Sequence, residues 1–298
     1  SAMATSSAAS TAPTTGAIDL CEVDKVASLS TVSLEDATTK LCGSKASLVG
    51  QLSKSRESIF SVPRGACVPF GIMQIIAAQS GVEADLCRHL KGLDEADSGQ
   101  SALIEDNCKE IQSIVMGLTI PETYLCEIAS HFSPSDILIA RSSANVEDLR
   151  GMSAAGLYDS VLNVPANNTE GLEQALKSVW ASLYSRRAVL SRKTAGVPQS
   201  AAFMSVLVQE MVDADYSFVL HTVDPITSDE KYVYAEVALG LGETLASGAQ
   251  GTPWRLRIEK TTGEVEIVAF ANFSESAKAN FGGTHASMQT IDYSKLEF

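Results

Sequence analysis

The sequence predicts an α+β fold that is divided into two lobes. With 298 residues, of which 45% are apolar, the chain is long enough to bury a substantial core. Apolar residues recur mainly at helical spacing in the first two thirds of the chain, and from residue 203 they recur at the spacing of strands. We therefore predict a first lobe over residues 18–200 and a second lobe over residues 201–298, with a hinge near residues 209–212.

The first lobe is predicted to be rich in helices. Its predicted elements are a helix over 44–52 that Ser44 caps, a strand over 62–68, a helix over 70–79, mainly helical structure over 82–131, a strand over 137–140 and a long amphipathic helix over 170–194. The apolar face of the long helix comprises Leu172, Leu176, Val179, Trp180, Leu183 and Tyr184. We interpret its basic residues, Arg186, Arg187, Arg192 and Lys193, as a solvated face, with contact to an acidic partner as the alternative.

The second lobe is predicted to consist of strands. They are expected over 204–209, 216–222, 232–237, 254–258 and 265–269. At the other end of the chain, residues 1–17 are predicted to be a disordered lead with a cloning scar. Residues 18–34, which alternate between apolar and polar, are predicted to form a docking segment or a linker strand.

Composition excludes several classes of function. The 36 acidic and 22 basic residues give a net charge of −14, which disfavours general binding to nucleic acid and to anionic membranes. No apolar run is long enough to span a bilayer. The six cysteines form no CxxC pair, which argues against a zinc site and favours free thiols in a reducing compartment.

The most informative stretch begins at Arg141, where the predicted strand opens into a loop. Four small residues, 153–156, would allow a backbone to approach a polyphosphate closely, and Ser160 supplies a hydroxyl. An arginine suits a phosphate because it is always charged and presents a planar fork of donors. The alternative is a structural arginine that pairs with Glu147 or Asp148, and the local residues leave both interpretations open.

Five motifs in one order resemble those of the phosphoenolpyruvate synthase, pyruvate phosphate dikinase and glucan, water dikinase superfamily. They are residues 43–46 (Gly-Ser-Lys-Ala), 62–71, 140–164, 208–212 (Val-Gln-Glu-Met-Val) and 240–243 (Gly-Leu-Gly-Glu). The resemblance implies an ATP-grasp fold that binds ATP and Mg²⁺ in a cleft between its lobes. The first motif departs from the superfamily's Gly-Gly-Lys-Gly, which leaves the geometry of this turn less certain.

The resemblance also implies roles for individual residues. Lys45 and Arg141 would hold the phosphates, Gly156 would allow close approach, and Ser160 would donate a hydroxyl. The adenine would lie against Gln209, Glu210, Met211 and Val212. Arg255 would reach the terminal phosphate, and Glu243, with Glu236 as a weaker second, would bind magnesium. Without the resemblance, Lys45 is a solvated surface lysine, Glu243 caps a helix, and residues 208–212 form an ordinary strand end. Asp224 is a further candidate metal ligand.

Within the superfamily, residues 153–160, 179–188, 218–223 and 251–256 look most like the phosphoglucan, water dikinase branch. This implies an ATP-dependent enzyme of starch metabolism in plastids, with a cytoplasmic location as the alternative. Such enzymes phosphorylate a histidine on a separate upstream domain, and other domains bind the starch glucan. We do not assign that histidine to His285, which has no domain around it. The alternatives are a glucan, water dikinase, another phosphotransferase of the superfamily, and a nucleotide-sensing module without turnover.

Overall fold

A computed structural model describes residues 28–55, 60–97, 99–147, 156–242, 245, 251–279 and 287–291. The helices are α1 (Thr39–Lys54), α2 (Ile72–Gln79), α3 (Glu83–Glu95), α4 (Ser101–Met116), α5 (Glu122–Ala129), α6 (Thr169–Ser182) and α7 (Arg186–Thr194), with a 3-10 turn at Gln199–Ala201. The strands are β1 (Val32–Ser33), β2 (Gly65–Val68), β3 (Ile137–Ala144), β4 (Ser160–Pro165), β5 (Met204–Glu210), β6 (Tyr216–His221), β7 (Tyr232–Leu239), β8 (Trp254–Glu259), β9 (Val265–Ala269), β10 (Glu275–Lys278) and β11 (Ser287–Thr290).

The described residues form a mixed α+β structure, which confirms the predicted class. Five strands form one sheet in the order β1-β2-β5-β3-β4, and four form a second in the order β6-β7-β8-β9. All pairs within both sheets are antiparallel. No helix of the described residues is both long and apolar enough to cross a membrane.

Strand β5 joins the two halves of the first sheet. It lies between β2 and β3, although the sequence placed it in the second lobe. The predicted division at residue 200 therefore does not coincide with the change of sheet, which comes after Glu210. Local periodicity identified the strand correctly, but it carries no information about which distant strands will pair with it.

The two faces of the five-stranded sheet have different coverings. On one face, Leu138 and Ala140 of β3 and Val206 and Val208 of β5 belong to the main core, together with buried residues of α2 to α7. On the other face, Leu207 packs against residues of α1. Because side chains alternate along a strand, residues of β3 with odd numbers point toward α1. Arg141 is one of these.

The predicted long helix is two helices. Helix α6 ends at Ser182, and Ser185 caps α7, with its side chain accepting a hydrogen bond from the Ala188 N–H. All six residues of the predicted apolar face are buried. The prediction that Arg192 lies on a solvated face is wrong, because its side chain is fully buried.

Helix α1 contains a break at Gly43, whose φ of 81° and ψ of 168° are not helical. Thr38 caps the first turn of the element, before the break, and its side chain accepts from the Leu41 N–H. A Cβ atom at position 43 would lie 2.5 Å from Ser143 Oγ and 2.9 Å from the Ser143 carbonyl oxygen. The glycine therefore provides both an unusual backbone angle and a close approach to β3.

The four-stranded sheet has one polar and one apolar face. Glu236, Arg255 and Arg257 lie on the polar face. The apolar face carries Phe218, Leu220, Leu256 and Ile267, as well as other apolar residues of β6 to β9. Phe218 is 63% exposed and Leu220 is 54% exposed, so this face is largely uncovered by the described residues.

A small cluster packs against the first sheet just after β5. Met211, Leu241 and Ala277 are buried together, and Ile137 and Leu162 of the first sheet pack against them. The Leu241 N–H donates to the Ala277 carbonyl oxygen at 2.8 Å. The predicted hinge region thus contains buried contacts as well as exposed residues.

Replacing Gly43 with alanine tests the close approach of α1 to β3. We expect Gly43→Ala to lower the free energy of unfolding by about 1–3 kcal/mol more than a matched variant, because the new methyl group overlaps Ser143. The matched variant is Gly263→Ala, which also has positive φ but has open space around its Cβ position. Urea denaturation measures both values, and equal losses in the two variants would contradict the account.

Candidate functional site

Arg141 lies in the middle of β3, on the face of the first sheet that α1 covers. Its neighbours across the sheet are Leu207 on β5 and Ser160 on β4. Its Nη1 donates a hydrogen bond to Gln209 Oε1 at 3.1 Å. Burial lowers the pKa of the Arg141 guanidinium, and the charge of Glu147 raises it in part. Arginine nevertheless stays charged at neutral pH, so Arg141 is a partly buried cation.

Lys45 is brought to the same place by the turn at Gly43. The Ala46 N–H donates to Ser143 Oγ at 3.2 Å, a contact between residues 97 positions apart in the chain. The Lys45 Nζ forms an ion pair with Glu147 Oε1 at 2.8 Å, and its side chain is 31% exposed. Lys45 is therefore paired with a specific carboxylate, unlike the solvated surface lysine that was the alternative.

Glu147 is the acidic residue at this site. One of its oxygens pairs with Lys45, whereas Arg141 donates its hydrogen bond to Gln209. The close partner of Glu147 is therefore Lys45 and not Arg141. The other oxygen, Oε2, is buried and accepts no hydrogen bond from the described residues. A buried carboxylate oxygen without a partner is uncommon and is typical of a place that a ligand, water or ion completes. Two cations and one carboxylate give this site a net positive charge in an acidic chain.

The predicted adenine-binding residues do not all point the same way. Gln209 is buried on the face of Arg141, and its Nε2 also donates to the Pro63 carbonyl oxygen at 3.4 Å. The Glu210 side chain points to the opposite face, where its Oε2 accepts from Arg64 Nε at 3.3 Å. The Met211 N–H donates to the Ile137 carbonyl oxygen at 2.8 Å, and Val212 is 55% exposed.

Gly156 precedes β4 and Ser160 begins it, and β4 pairs with β3 on the side opposite to β5. Ser160 is exposed at the start of β4, and it faces the same side of the sheet as Arg141 because the two residues are directly paired. Gly156 has a φ of 64°, in the left-handed region that favours glycine, and its carbonyl oxygen accepts a hydrogen bond from Arg187 Nη2. Residues 153–155 lie outside the described part of the chain.

The predicted metal and terminal-phosphate residues lie on the second sheet. Arg255 and Glu236 are directly opposite each other on β8 and β7, and Arg255 Nε donates to Glu236 Oε1 at 3.0 Å. Glu243, the stronger predicted magnesium ligand, is outside the described residues. Within the described ranges, no group of three or more His, Cys, Asp or Glu side chains is arranged to hold a metal ion.

The Asp224 carboxylate accepts hydrogen bonds from the backbone of its own turn, so it is not an open carboxylate. Its Oδ1 accepts from the Ile226 N–H at 2.8 Å and from the Thr227 N–H at 3.2 Å. These backbone hydrogen bonds lower the pKa of Asp224, with Arg257 contributing as a nearby positive charge. The contacts indicate that Asp224 stabilises the turn after β6.

One cavity of the described residues lies apart from these side chains. A cavity of about 500 Å³ lies near the carboxyl end of α1, and Leu52, Phe60, Pro63 and Arg64 are among its lining residues. Lys45 and Arg141 are not part of its wall. A triphosphate requires positive charge and hydrogen-bond donors, which Lys45 and Arg141 offer outside this cavity.

Several contacts that build the site were not predicted from the sequence. Ser143 lies two residues after Arg141, so the alternation of a strand places both on one face, and this signal was present in the sequence. By contrast, nothing local indicates that Glu147 pairs with Lys45 or that Arg64 joins Asp136 and Glu210, because these contacts depend on the packing of distant elements.

Residues 39–293 match the pyruvate phosphate dikinase, AMP/ATP-binding domain. The chain belongs to this family. It is therefore the ATP-binding domain of a dikinase or phosphotransferase of the phosphoenolpyruvate-utilising type, and such domains are ATP-grasp-like. The matched range includes all residues of the candidate site.

Several curated relatives of this family are similar to the chain. Rifampicin phosphotransferase of Bacillus subtilis is 34% identical over 72% of the chain and 24% of its own length. Alpha-glucan water dikinase 1, chloroplastic, of Arabidopsis thaliana is 30% identical over 74% of the chain and 14% of its own length. A probable phosphoenolpyruvate synthase of Methanothermobacter thermautotrophicus is 30% identical over 76% of the chain and 33% of its own length. The chain thus spans a third or less of these relatives, which are ATP-dependent dikinases and phosphotransferases.

Proposed function

We propose that the α1-facing side of the first sheet binds the triphosphate of ATP. The supporting observation is that Lys45, which pairs with Glu147 at 2.8 Å, is anchored through the Ala46 N–H to Ser143, two residues from Arg141 on the same face of β3. Phosphate oxygens would take over the contacts that Lys45 now makes with Glu147. Ser160 would donate its hydroxyl, and Gly156 would allow the backbone to approach closely.

The adenine would lie at the end of β5, against residues 209–212. Gln209 connects the two parts of the site, because its side chain already accepts from Arg141. Val212 is exposed and would offer apolar surface to the base. Met211 is buried in the cluster with Leu241 and Ala277 and would support this part of the site. Glu210 would contribute its backbone, since its carboxylate is paired with Arg64 on the other face.

Magnesium and the terminal phosphate would be met from the second sheet. Mg²⁺ in nucleotide sites usually takes one or two carboxylates together with phosphate oxygens and waters, so a large cluster of acidic residues is not required. We assign Glu243 as the main ligand and Glu236 as the second. Arg255, which is held by Glu236 at 3.0 Å, would turn to the terminal phosphate when Glu236 engages the ion. The Glu236–Arg255 pair keeps both side chains on the polar face of this sheet.

For the whole protein we propose the activity of a phosphoglucan, water dikinase in plastids. ATP and water would yield AMP, inorganic phosphate and a phosphohistidine on a separate domain, and the histidine would pass its phosphoryl group to starch glucan. The similarity to a chloroplastic alpha-glucan water dikinase supports a glucan acceptor. Similar identity to rifampicin phosphotransferase and phosphoenolpyruvate synthase keeps other acceptors as alternatives.

Removing either cation tests the phosphate site. We expect Lys45→Ala and Arg141→Ala each to weaken ATP binding by about tenfold or more, because each change removes a charge-assisted contact worth about 1.5–3 kcal/mol. Isothermal titration calorimetry measures the dissociation constants. The control is Lys54→Ala, which removes a lysine from the last turn of the same helix. Unchanged ATP affinity in both site variants would overturn the site.

Adding a phosphohistidine domain in trans tests the function proposed for the whole protein. We expect the chain alone to leave glucan unphosphorylated, and a phosphohistidine domain of a phosphoglucan, water dikinase added in trans to become labelled from [β-³²P]ATP with release of AMP. A domain with its histidine changed to alanine is the control. Glucan labelling by the chain alone would contradict the proposal, and ATP binding without any histidine labelling would favour a nucleotide sensor.

A further inference from the structure

Helix α7 carries none of the predicted nucleotide-binding residues, yet it contacts the loop that leads into β4. Arg187 is exposed, and its Nη2 donates to the Gly156 carbonyl oxygen. Arg192 is fully buried, and its Nη1 donates to Tyr158 Oη at 3.3 Å. Two arginines of one helix therefore bind the loop at positions two residues apart.

Arg192 is unusual because its described hydrogen bonds all go to neutral acceptors. Besides Tyr158, its Nε donates to Gln199 Oε1 at 2.8 Å and its Nη2 donates to the Leu183 carbonyl oxygen at 2.6 Å. Within the described ranges it forms no ion pair with a carboxylate. A buried charge of this kind is costly unless its donors are satisfied, so losing one acceptor would disturb the others.

Tyr158 gives this network a direct connection to the candidate site. Its side chain is 7% exposed and belongs to the main core, and burial raises the pKa of its hydroxyl. Gly156 lies two residues before it and Ser160 two residues after it. The hydrogen bonds from α7 therefore fix the segment in which both predicted phosphate-site residues lie, and Ser160 is in turn paired with Arg141.

We propose that Arg187 and Arg192 are positioning residues for phosphate binding. They hold residues 156–160 in the conformation that presents Gly156 and Ser160 beside Arg141. Arg192 and Tyr158 are too deeply buried to touch a nucleotide, so their effect on binding passes through the loop. This assignment rests on the proposed ATP site and adds to it a dependence on a helix outside that site.

The test compares ATP with adenosine, which lacks phosphates. We expect Arg187→Ala and Tyr158→Phe each to raise the dissociation constant for ATP by about fivefold to twentyfold while that for adenosine stays the same, because only the phosphate half depends on the loop. Titrations monitored by calorimetry for ATP and by NMR for adenosine supply the values, and thermal unfolding checks the fold. Arg187 is exposed, so its replacement is expected to leave the melting temperature unchanged.

The neighbouring arginine provides a matched control. Arg186 is also exposed at the start of α7, but it contacts Ser101 and Glu105 of α4 rather than the loop. Arg186→Ala should leave both affinities unchanged. If Arg187→Ala weakens ATP binding but Tyr158→Phe binds ATP like the wild type, Arg187 contacts the nucleotide directly. That result would overturn the positioning role. Equal losses for ATP and adenosine would also overturn it, whereas a wild-type chain that binds no ATP would overturn the proposed function itself.

Discussion

The close packing of the α1 turn on strand β3 is the contact on which the candidate site depends. Gly43 lets the turn approach Ser143, and the Ala46 N–H donates to the Ser143 hydroxyl. Lys45 lies between these two anchoring points, and its ammonium group pairs with Glu147, three residues after the end of β3. A side chain at position 43 would overlap Ser143 and oppose this approach of the turn to the strand. A serine at position 44 and an alanine at position 46 are both small enough to preserve this turn.

The two faces of the first sheet differ in composition, and the residues of the candidate site lie on one of them. The face toward α2 to α7 is filled by the main core, whereas the face toward α1 holds the polar and charged groups of the site. Side chains on the binding face can be charged because they lie at the edge of the small α1 cluster, where they keep partial access to solvent. The second sheet repeats this division, with Glu236 and Arg255 on its polar face. Its other face carries exposed apolar residues, among them Phe218 and Leu220.

Local patterns predicted the elements well, and they failed where distant contacts decide the outcome. The strands from Tyr216 to Ala269 follow the predicted alternation closely, because each has one apolar and one polar face. The membership of β5 in the first sheet, the break before Ser185 and the burial of Arg192 were not predictable in this way. A polar residue can cap a helix or continue it, and an arginine can face water or a core that supplies enough acceptors. Motif resemblance assigned Lys45 and Arg141 to one site, and the sequence offered Glu147 as a partner for Arg141, but the ion pair of Glu147 with Lys45 depends on the packing of α1.

A crystal structure of this chain with Mg²⁺ and a non-hydrolysable ATP analogue tests the central claim most directly. The account predicts phosphate oxygens within hydrogen-bond distance of Lys45 Nζ and the Arg141 guanidinium, with Lys45 released from Glu147 and the adenine near residues 209–212. A nucleotide bound instead in the cavity beside Leu52 and Phe60, with the Lys45–Glu147 ion pair intact, would contradict it.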